Sequence, residues 1–325
     1  MSTRRSLMAA GAARLSAGAG LLAAPAIAQS RAIRLIVTFP PGGSTDILGR
    51  LLQPLLEREL RQSVVIENRG GANGAVGMAN LAQAAPDGTS FALDAGGATT
   101  NPHLMRGLGF DYATGFAPVT QATILPSLLV VRSEAPMADF AGFLAHLRGH
   151  PGRESYGSSG VGTGAHLASA LLMRRAGLSA THVPYRGGAD QLTSLRRGDT
   201  LFTFSTIPTI AGLIRDGALR PLVAATPARA SAYPAVPIVA ESGYPGFSIY
   251  DFHSIYAPAG TPAEPIQRMA AAIRAAMEDA ELRPRLIALG LEPAAHGPEA
   301  FATLLRTRRE EMGALIRDEG IRIET

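Results

Sequence analysis

The chain has 325 residues with 30 basic and 26 acidic side chains, a formal net charge of +4, and neither lysine nor cysteine. The absence of cysteine excludes disulfides, thiol chemistry and a lipid-modified cysteine anchor. Without the first 28 residues, which hold three arginines, 27 basic side chains face 26 acidic ones, and this balance gives no support to nucleic-acid or membrane-surface binding.

The first 28 residues have the pattern of an export signal. Arg4 and Arg5 form a paired-arginine start, residues 17–24 form a short core of small and apolar side chains, and an A-x-A cleavage motif ends at Ala28. That core is too short to anchor the chain as a membrane span. We therefore expect cleavage after Ala28 and a soluble, periplasmic mature protein.

The mature chain alternates predicted strands with predicted helices, which is typical of an α/β fold with largely parallel sheets. Its length of about 297 residues exceeds a comfortable single core and predicts two domains. Strands are predicted at 33–38, 64–67, 91–93, 128–131, 155–157, 182–185, 201–204 and 219–225, and helices at 46–60, 75–84, 137–148, 163–176, 189–197, 208–215, 261–280 and 298–317.

Two glycine- and hydroxyl-rich segments, residues 39–46 and 156–166, share one pattern. Each follows a strand-like run and leads into a helical stretch. A loop of this kind exposes backbone N–H groups and hydroxyls at the positive end of a helix dipole, where an anion binds favourably. Two such loops predict a ligand with two anionic ends. Ser44 and Thr45 would serve one carboxylate, and Ser158, Ser159, Gly162 and Thr163 the other.

Ordered motifs along the mature chain carry a resemblance to a known family. They are F-P-P-G-G-S-T-D at 39–46, V-V-I-E-N-R at 64–69, A-P-D-G at 85–88, Asn101-Pro102, Y-G-S-S-G-V-G-T at 156–163 with His166, H-V-P-Y-R-G at 182–187 and A-P-A-G-T-P at 257–262. With these motifs the chain resembles the substrate-binding receptors of tripartite tricarboxylate transporters, also called Bug proteins. The resemblance implies a periplasmic "Venus flytrap" that closes over a small carboxylate, is expected to be monomeric, and delivers the ligand to membrane permease subunits.

The resemblance also implies how the chain is divided and which residues meet the ligand. Domain 1 would hold residues 31–131 and 249–325, and domain 2 residues 132–248, each with a mostly parallel sheet flanked by helices. The family adds Ala98 and Thr99 to the site, with Phe39, Phe204 and Ser205 as walls. Gly43, Asp46, His166 and Arg186 complete the candidate ligand-binding residues.

Several of these candidates also have a structural interpretation. Ser44 or Thr45 could simply cap a helix. Asp46 is favoured as a structural partner because its charge would repel a carboxylate, and His166 as a packed, hydrogen-bonded residue. Arg186 could clamp the substrate or hold a turn through a salt bridge.

No enzyme motif is complete, so we expect no catalytic residue, no cofactor and no metal. The Gly157–Val161 segment lacks the closing glycine of a G-x-S-x-G elbow, although Ser159, His166 and Asp46 could be assembled into a triad. Gly160–Ala165 matches G-x-G-x-x-A, but the acid expected about 20 residues later is missing. His146 and His150 have the spacing of a metal pair without an evident third ligand.

The sequence does not identify the ligand, nor whether its binding serves transport or sensing. A dicarboxylate is favoured, with an aromatic acid, an amino acid or a nicotinate-like compound as alternatives. Asp94 or Asp190, if inside the cleft, would favour an amino-bearing or less anionic ligand. Sensing for a two-component system is the alternative to transport, and a carboxyl-ester hydrolase is a more distant one.

Overall fold

The computed structural model describes residues 31–318. The predicted export signal and its cleavage site after Ala28 lie outside these residues. Within them the chain forms two β-sheets with helices on their faces, an α/β fold of two domains. No helix in this part of the chain has both the length and the apolar character needed to cross a membrane.

Strands and helices alternate along most of the chain. The strands are β1 (Ile33–Val37), β2 (Val64–Asn68), β3 (Ser90–Ala95), β4 (Phe116–Leu125), β5 (Ser127–Arg132), β6 (Ser155–Ser158), β7 (Thr181–Pro184), β8 (Phe202–Thr206), β9 (Leu219–Ala224), β10 (Asp251–Pro258) and β11 (Glu292–Pro293). The helices are α1 (Ser44–Leu60), α2 (Ala75–Ala82), α3 (Gly97–Leu104), α4 (Phe140–Gly149), α5 (Gly164–Ala176), α6 (Gly188–Arg197), α7 (Ile207–Arg215), α8 (Ala263–Glu278), α9 (Leu282–Ala288) and α10 (Pro298–Asp318).

The first sheet has the strand order β11-β4-β10-β3-β1-β2. β1 runs parallel to β2 and β3, whereas β10 runs antiparallel to β3 and β4. Leu35 and Val37 of β1 pack in one core with Leu48, Leu52 and Leu56, which lie four residues apart and so share one face of α1. This packing fixes the N-terminus of α1 at the end of β1.

The second sheet has the strand order β7-β6-β8-β5-β9. β6 runs parallel to β7 and β8, and β5 runs antiparallel to β8 and β9. Its main core joins Leu129 and Phe202 to Leu167, Leu171 and Leu172 of α5. Thr163 caps that helix by accepting the N–H of His166, and Gly177 ends it in the left-handed conformation at φ 63°, in agreement with the helix predicted at 163–176.

Both sheets are mixed, although the sequence predicts mostly parallel ones. The antiparallel strands include β4, β5 and β10, which lie next to the points where the chain passes between the sheets. β4 and β5 lie in different sheets and are joined by Pro126 alone, so no crossover helix of the kind that precedes a parallel neighbour connects them. The direction of these strands therefore follows from the crossing and not from a βαβ unit.

The chain changes sheets at Pro126 and returns between Ile249 and Asp251. Ile249 packs in the core of the second sheet, and Asp251 is the first residue of β10 in the first sheet. Residues 127–131 form ladders with β8 and β9, so they pair in the second sheet, whereas the predicted boundary at 131 assigns them to domain 1.

Helix α10 contacts the cores of both sheets. Phe301 and Leu305, near its start, pack on aromatic side chains of the first sheet. Met312 and Ile316, two to three turns later, pack in the main core of the second sheet. A change in the angle between the domains therefore has to be accommodated by this helix as well as by the two crossings.

Candidate functional site

A cavity of about 140 Å³ lies between the two sheets and is lined by residues of both. A single buried water needs roughly 10–15 Å³ on the same scale, so the cavity has room for roughly ten heavy atoms. Its walls come mainly from the N-terminal ends of helices that follow strand ends. It is therefore the candidate ligand site, and its size suits a small metabolite.

The first-domain wall is the segment predicted from the sequence. Phe39, Gly43, Ser44 and Thr45 all line the cavity. Ser44 and Thr45 are the first residues of α1, and the N-cap Gly43 has no side chain with which to cap them. The first N–H groups of a helix have no intrahelical partner, so this helix end is available to an anion.

Two further helix N-termini in the second domain line the same cavity. They are the start of α6, at Gly187 to Gln191, and the start of α7, at Thr206 and Thr209. Neither helix has a side-chain cap. Phe204 and Ser205 precede α7 and also line the cavity, where the resemblance places them. Sequence reasoning missed the role of α6, although strand β7 followed by Gly187-Gly188-Ala189 repeats the same strand, small-residue loop and helix pattern.

The second glycine-rich loop is only partly exposed to the cavity. Ser159 and Thr163 line it, whereas Ser158 is fully buried and Gly162 is buried as well. The Oγ of Ser158 lies 3.0 Å from the Gly160 carbonyl, to which it donates, and 2.6 Å from Nε2 of His182. The structure therefore places Ser158 behind the loop, where it holds the loop's shape.

His166 lies behind the same loop and does not line the cavity. Its Nδ1 accepts the Gly162 N–H at 3.1 Å, and its ring stacks on His182 with centroids 3.9 Å apart. Burial lowers the pKa of His166 to about 4, and burial together with the neighbouring His166 lowers the pKa of His182 to about 3. Both rings are neutral at physiological pH and act as a packed support for the loop.

Asp46 also has a structural arrangement. Its carboxylate accepts hydrogen bonds from the Gly42 N–H, Arg50 Nε and Asn68 Nδ2, each at 3.0 Å. Burial alone would raise the pKa of Asp46, but these hydrogen bonds and the Arg50 charge lower it. The charged carboxylate fixes the turn that presents Ser44 and Thr45, and it faces away from the cavity lining.

The other candidates lie outside the cavity lining. Arg186 is exposed and lines an adjoining pocket with Asn73 and Met105, beyond the wall formed by Phe39 and Pro40. Ala98 and Thr99 are buried in the first turn of α3, and the neighbouring Ala95 lines the cavity in their place. Ligand contact by any of the predicted residues stays a prediction.

Two acidic residues line the cavity, and one of them was missed by sequence reasoning. Asp190 lies in the exposed first turn of α6, and Asp251 lies at the start of β10. Asp94 is fully buried and accepts from Thr38 Oγ1 and the Ala98 N–H, so it does not reach the cavity. Asp251 had no local signal, because its strand was not predicted.

The two domains contact each other beside the cavity. Nδ2 of Asn73, in the first domain, lies 2.9 Å from the Gly162 carbonyl in the second. The same nitrogen lies 2.9 Å from Asn101 Oδ1 and 3.0 Å from Thr100 Oγ1. Asn73 is 5% exposed and has φ 49°, a left-handed conformation that asparagine tolerates. This hydrogen bond joins the two domains beside the cavity.

The structure does not assemble the hydrolase triad. The hydrogen bonds of Asp46 go to Gly42, Arg50 and Asn68, and Nδ1 of His166 is engaged by the Gly162 N–H. Within residues 31–318, these hydrogen bonds connect Asp46 and His166 neither to each other nor to Ser159.

The histidine pair at the C-terminal end of α4 has a third neighbour, Glu154. Potential ligand atoms of His146, His150 and Glu154 lie within 4.8 Å of one another, with His146 Nε2 and Glu154 Oε1 2.7 Å apart. A hydrogen bond between His146 and Glu154 accounts for this contact without a metal.

Comparison with known proteins identifies a family with the same two-domain α/β fold. A model of the tripartite tricarboxylate transporter family receptor matches residues 48–321. The UPF0065 protein in the tcbD-tcbE intergenic region of Pseudomonas sp. (strain P51) is 33% identical over 288 residues, which are 88% of this chain and 86% of that protein.

Solved structures show the same fold. R. palustris Rpa4515 with adipate has a TM-score of 0.87 at 30% identity, over 90% of this chain and 98% of that one. MatC from Rhodopseudomonas palustris with bound malate has a TM-score of 0.83 at 28% identity, over 88% and 99%. The periplasmic binding protein BugD has a TM-score of 0.86 at 26% identity, over 91% and 99%. The chain belongs to the tripartite tricarboxylate transporter receptor family, a family of solute-binding receptors.

Proposed function

We propose that this protein is a periplasmic receptor that closes over a small organic carboxylate and delivers it to the membrane subunits of a tripartite tricarboxylate-type transporter. The observation that carries the proposal is the convergence of the uncapped N-termini of α1, α6 and α7 on one cavity between the domains. The first backbone N–H groups of α1 and α6 and the dipoles of all three helices together favour a bound anion. In α7 the Ile207 N–H already donates to the Pro126 carbonyl and Pro208 has no N–H, so α7 contributes mainly its dipole.

Neutral donors take the place of a basic side chain in this site. Among residues 31–318, no arginine lines the cavity, whereas Ser44, Thr45, Ser159 and Ser205 do. Hydrogen bonds to a charged group are worth about 1.5–3 kcal/mol each. A few of them, made by amides and hydroxyls already in place, can offset the desolvation of a carboxylate.

The relatives support the ligand class and the location. Two solved members of similar fold carry adipate and malate, which are both small carboxylates. BugD is a periplasmic binding protein, in agreement with the export signal predicted to end at Ala28. Delivery to permease subunits is supported by the family, whose description is that of a transporter receptor.

Closure is the step that couples binding to delivery. The Asn73 to Gly162 contact forms only when the domains meet, and the cavity is bounded by both of them. A ligand that contacts both walls shifts the equilibrium toward the closed state by its preference for that state.

A thermal-shift screen of the mature protein against small carboxylic acids, sugars and divalent cations tests the proposal. A ligand at 100 times its Kd should stabilise the protein by about 2.7 kcal/mol, which is a shift of several degrees in a protein of this size. Stabilisation by one or more carboxylates is the expected result. The proposal is wrong if only sugars or cations raise the melting temperature.

A further inference from the structure

Asp251 lies where the two domains meet at the cavity. Its carboxyl group is wedged between Gly96, at the start of α3, and Gly164, the first residue of α5. A Cβ on Gly96 would lie 2.5 Å from Oδ1 of Asp251, and a Cβ on Gly164 would overlap its Oδ2. Both positions therefore require glycine for the carboxyl group to fit, and the wedge holds it at the cavity wall.

This carboxyl group occupies the anion position of the second glycine-rich loop. The N–H of Gly164 donates to Asp251, and the N–H of His166 is already capped by Thr163. The N-terminus of α5 was predicted to bind one end of a dianion. In the structure the chain supplies its own carboxylate there, so a second ligand carboxylate would meet a negative charge and not a free helix end.

Little positive charge compensates Asp251. Arg308 attracts it, but the Arg308 guanidinium stacks over the Tyr250 ring at 4.3 Å and pairs with Glu311 at 2.8 Å. The buried Asp94 repels it. Asp190 adds a second acidic group to the same cavity wall. The cavity thus has uncapped helix N-termini on one side and an uncompensated acid on another.

We propose that the ligand is an amino-bearing carboxylate, whose carboxylate binds the N-termini of α1, α6 and α7 and whose ammonium group binds Asp251. The inference rests on the proposed function and narrows its ligand class. An ammonium group supplies both the donors and the positive charge that Asp251 lacks, whereas a dicarboxylate requires Asp251 to be protonated.

The ionisable groups around Asp251 allow binding of an amino-bearing carboxylate to be distinguished from binding of a dicarboxylate near neutral pH. Burial, aided by Asp94 and opposed by Arg308 and the Gly164 N–H, raises the pKa of Asp251 to about 7. On the elements packed around it, burial lowers the pKa values of His166 and His253 to about 4 and about 3, so both rings stay neutral near pH 7. Asp190, on the cavity wall, is exposed.

Proton linkage follows directly from these charges. An ammonium group stabilises ionised Asp251, so its binding releases protons at pH 7 and tightens as the pH rises through 7. A dicarboxylate stabilises neutral Asp251, so its binding takes up protons and weakens over the same range. The ammonium and carboxylate groups of the ligands themselves do not titrate there.

Calorimetric titration of the mature protein with matched pairs tests the inference. Succinate, glutarate, adipate and malate are compared with β-alanine, 4-aminobutanoate, 5-aminopentanoate and aspartate, in which an ammonium replaces one carboxylate or the hydroxyl. We expect the amine of at least one pair to bind about tenfold or more tightly, with proton release in buffers of different ionisation enthalpy.

Variants then test whether Asp251 is responsible for the preference for amino-bearing ligands. Asp251→Asn keeps the shape of the side chain and should reduce the amine preference about tenfold or more, whereas Asp216→Asn, at the exposed far end of α7, should leave it unchanged. Should Asp251→Asn fail to fold, the sign of proton exchange in the wild-type protein decides.

Each outcome bears on one of the two claims. The inference is wrong if dicarboxylates bind tightly with proton uptake. It is also wrong if Asp251→Asn leaves the preference for amino-bearing ligands unchanged. In both cases the proposal of a carboxylate receptor is unaffected. Failure of every acid in the panel to bind contradicts the proposed function itself.

Discussion

Asn73 offers a direct measurement of how much domain closure contributes to affinity. Its side chain makes the 2.9 Å contact with the Gly162 carbonyl that joins the domains, and its φ of 49° is one that glycine adopts without strain. Asn73→Gly therefore deletes the contact without introducing an unfavourable backbone conformation. A neutral hydrogen bond is worth about 0.5–1.5 kcal/mol, so we expect the Kd for the bound acid to rise about two- to tenfold.

The same substitution also removes contacts within the first domain, to Thr100 and Asn101, so stability has to be measured alongside affinity. Gln53→Ala is a matched control, because Gln53 Nε2 donates to the Val64 carbonyl at 2.8 Å within one domain. Calorimetry should show weaker binding for Asn73→Gly alone, and urea denaturation should show reduced stability for both variants. An unchanged Kd for Asn73→Gly, with stability reduced, would refute a role for this contact in closure.

Four further predictions concern individual side chains. Thr45 lines the cavity, so Thr45→Val should weaken binding about tenfold by calorimetry. The hydrogen bonds of Ser158 lie behind the loop, so Ser158→Ala should leave the Kd unchanged and lower the free energy of unfolding by about 1–3 kcal/mol. His166 has a folded pKa of about 4, below its unfolded value of about 6.5, so stability should fall as the pH drops from 6.5 to 4, and His166→Gln should flatten that slope in pH-dependent denaturation. Asp251 has a folded pKa raised from 3.8 to about 7, so stability falls as the pH rises from about 4 to 7 and stays low above pH 7. Asp251→Asn removes this loss and should raise the melting temperature more at pH 8 than at pH 5.

The parts of the fold that depend on local pattern could be predicted from the sequence. The β1 strand and the α1 helix follow from buried apolar runs and a four-residue leucine spacing. The start of α5 follows from Thr163 and its end from Gly177. The direction of β4, β5 and β10 could not be predicted in this way. It depends on the one-residue connection at Pro126 and on pairing with strands that are distant in the sequence, such as β4 with β10 and β5 with β9.

In the candidate site, too, the features that depend on local sequence pattern could be predicted and those that depend on distant residues could not. The candidates Gly43, Ser44 and Thr45 line the cavity, and the sequence pointed to them because one loop carries both the strand end and the helix start. Ser158 and His166 lie behind the loop and do not line the cavity, which the sequence could not reveal, because the pattern of a loop does not tell which of its side chains point inward. Asp251 was missed because its surroundings come from α3 and α5, which are distant in sequence.

A crystal structure of the mature protein with its tightest-binding carboxylate tests the central claim most directly. The claim predicts the ligand carboxylate within hydrogen-bond distance of backbone N–H groups at the starts of α1, α6 or α7, inside the cavity between the sheets. A carboxylate held instead by Arg186 in the adjoining pocket, with those helix ends facing only water, would contradict it.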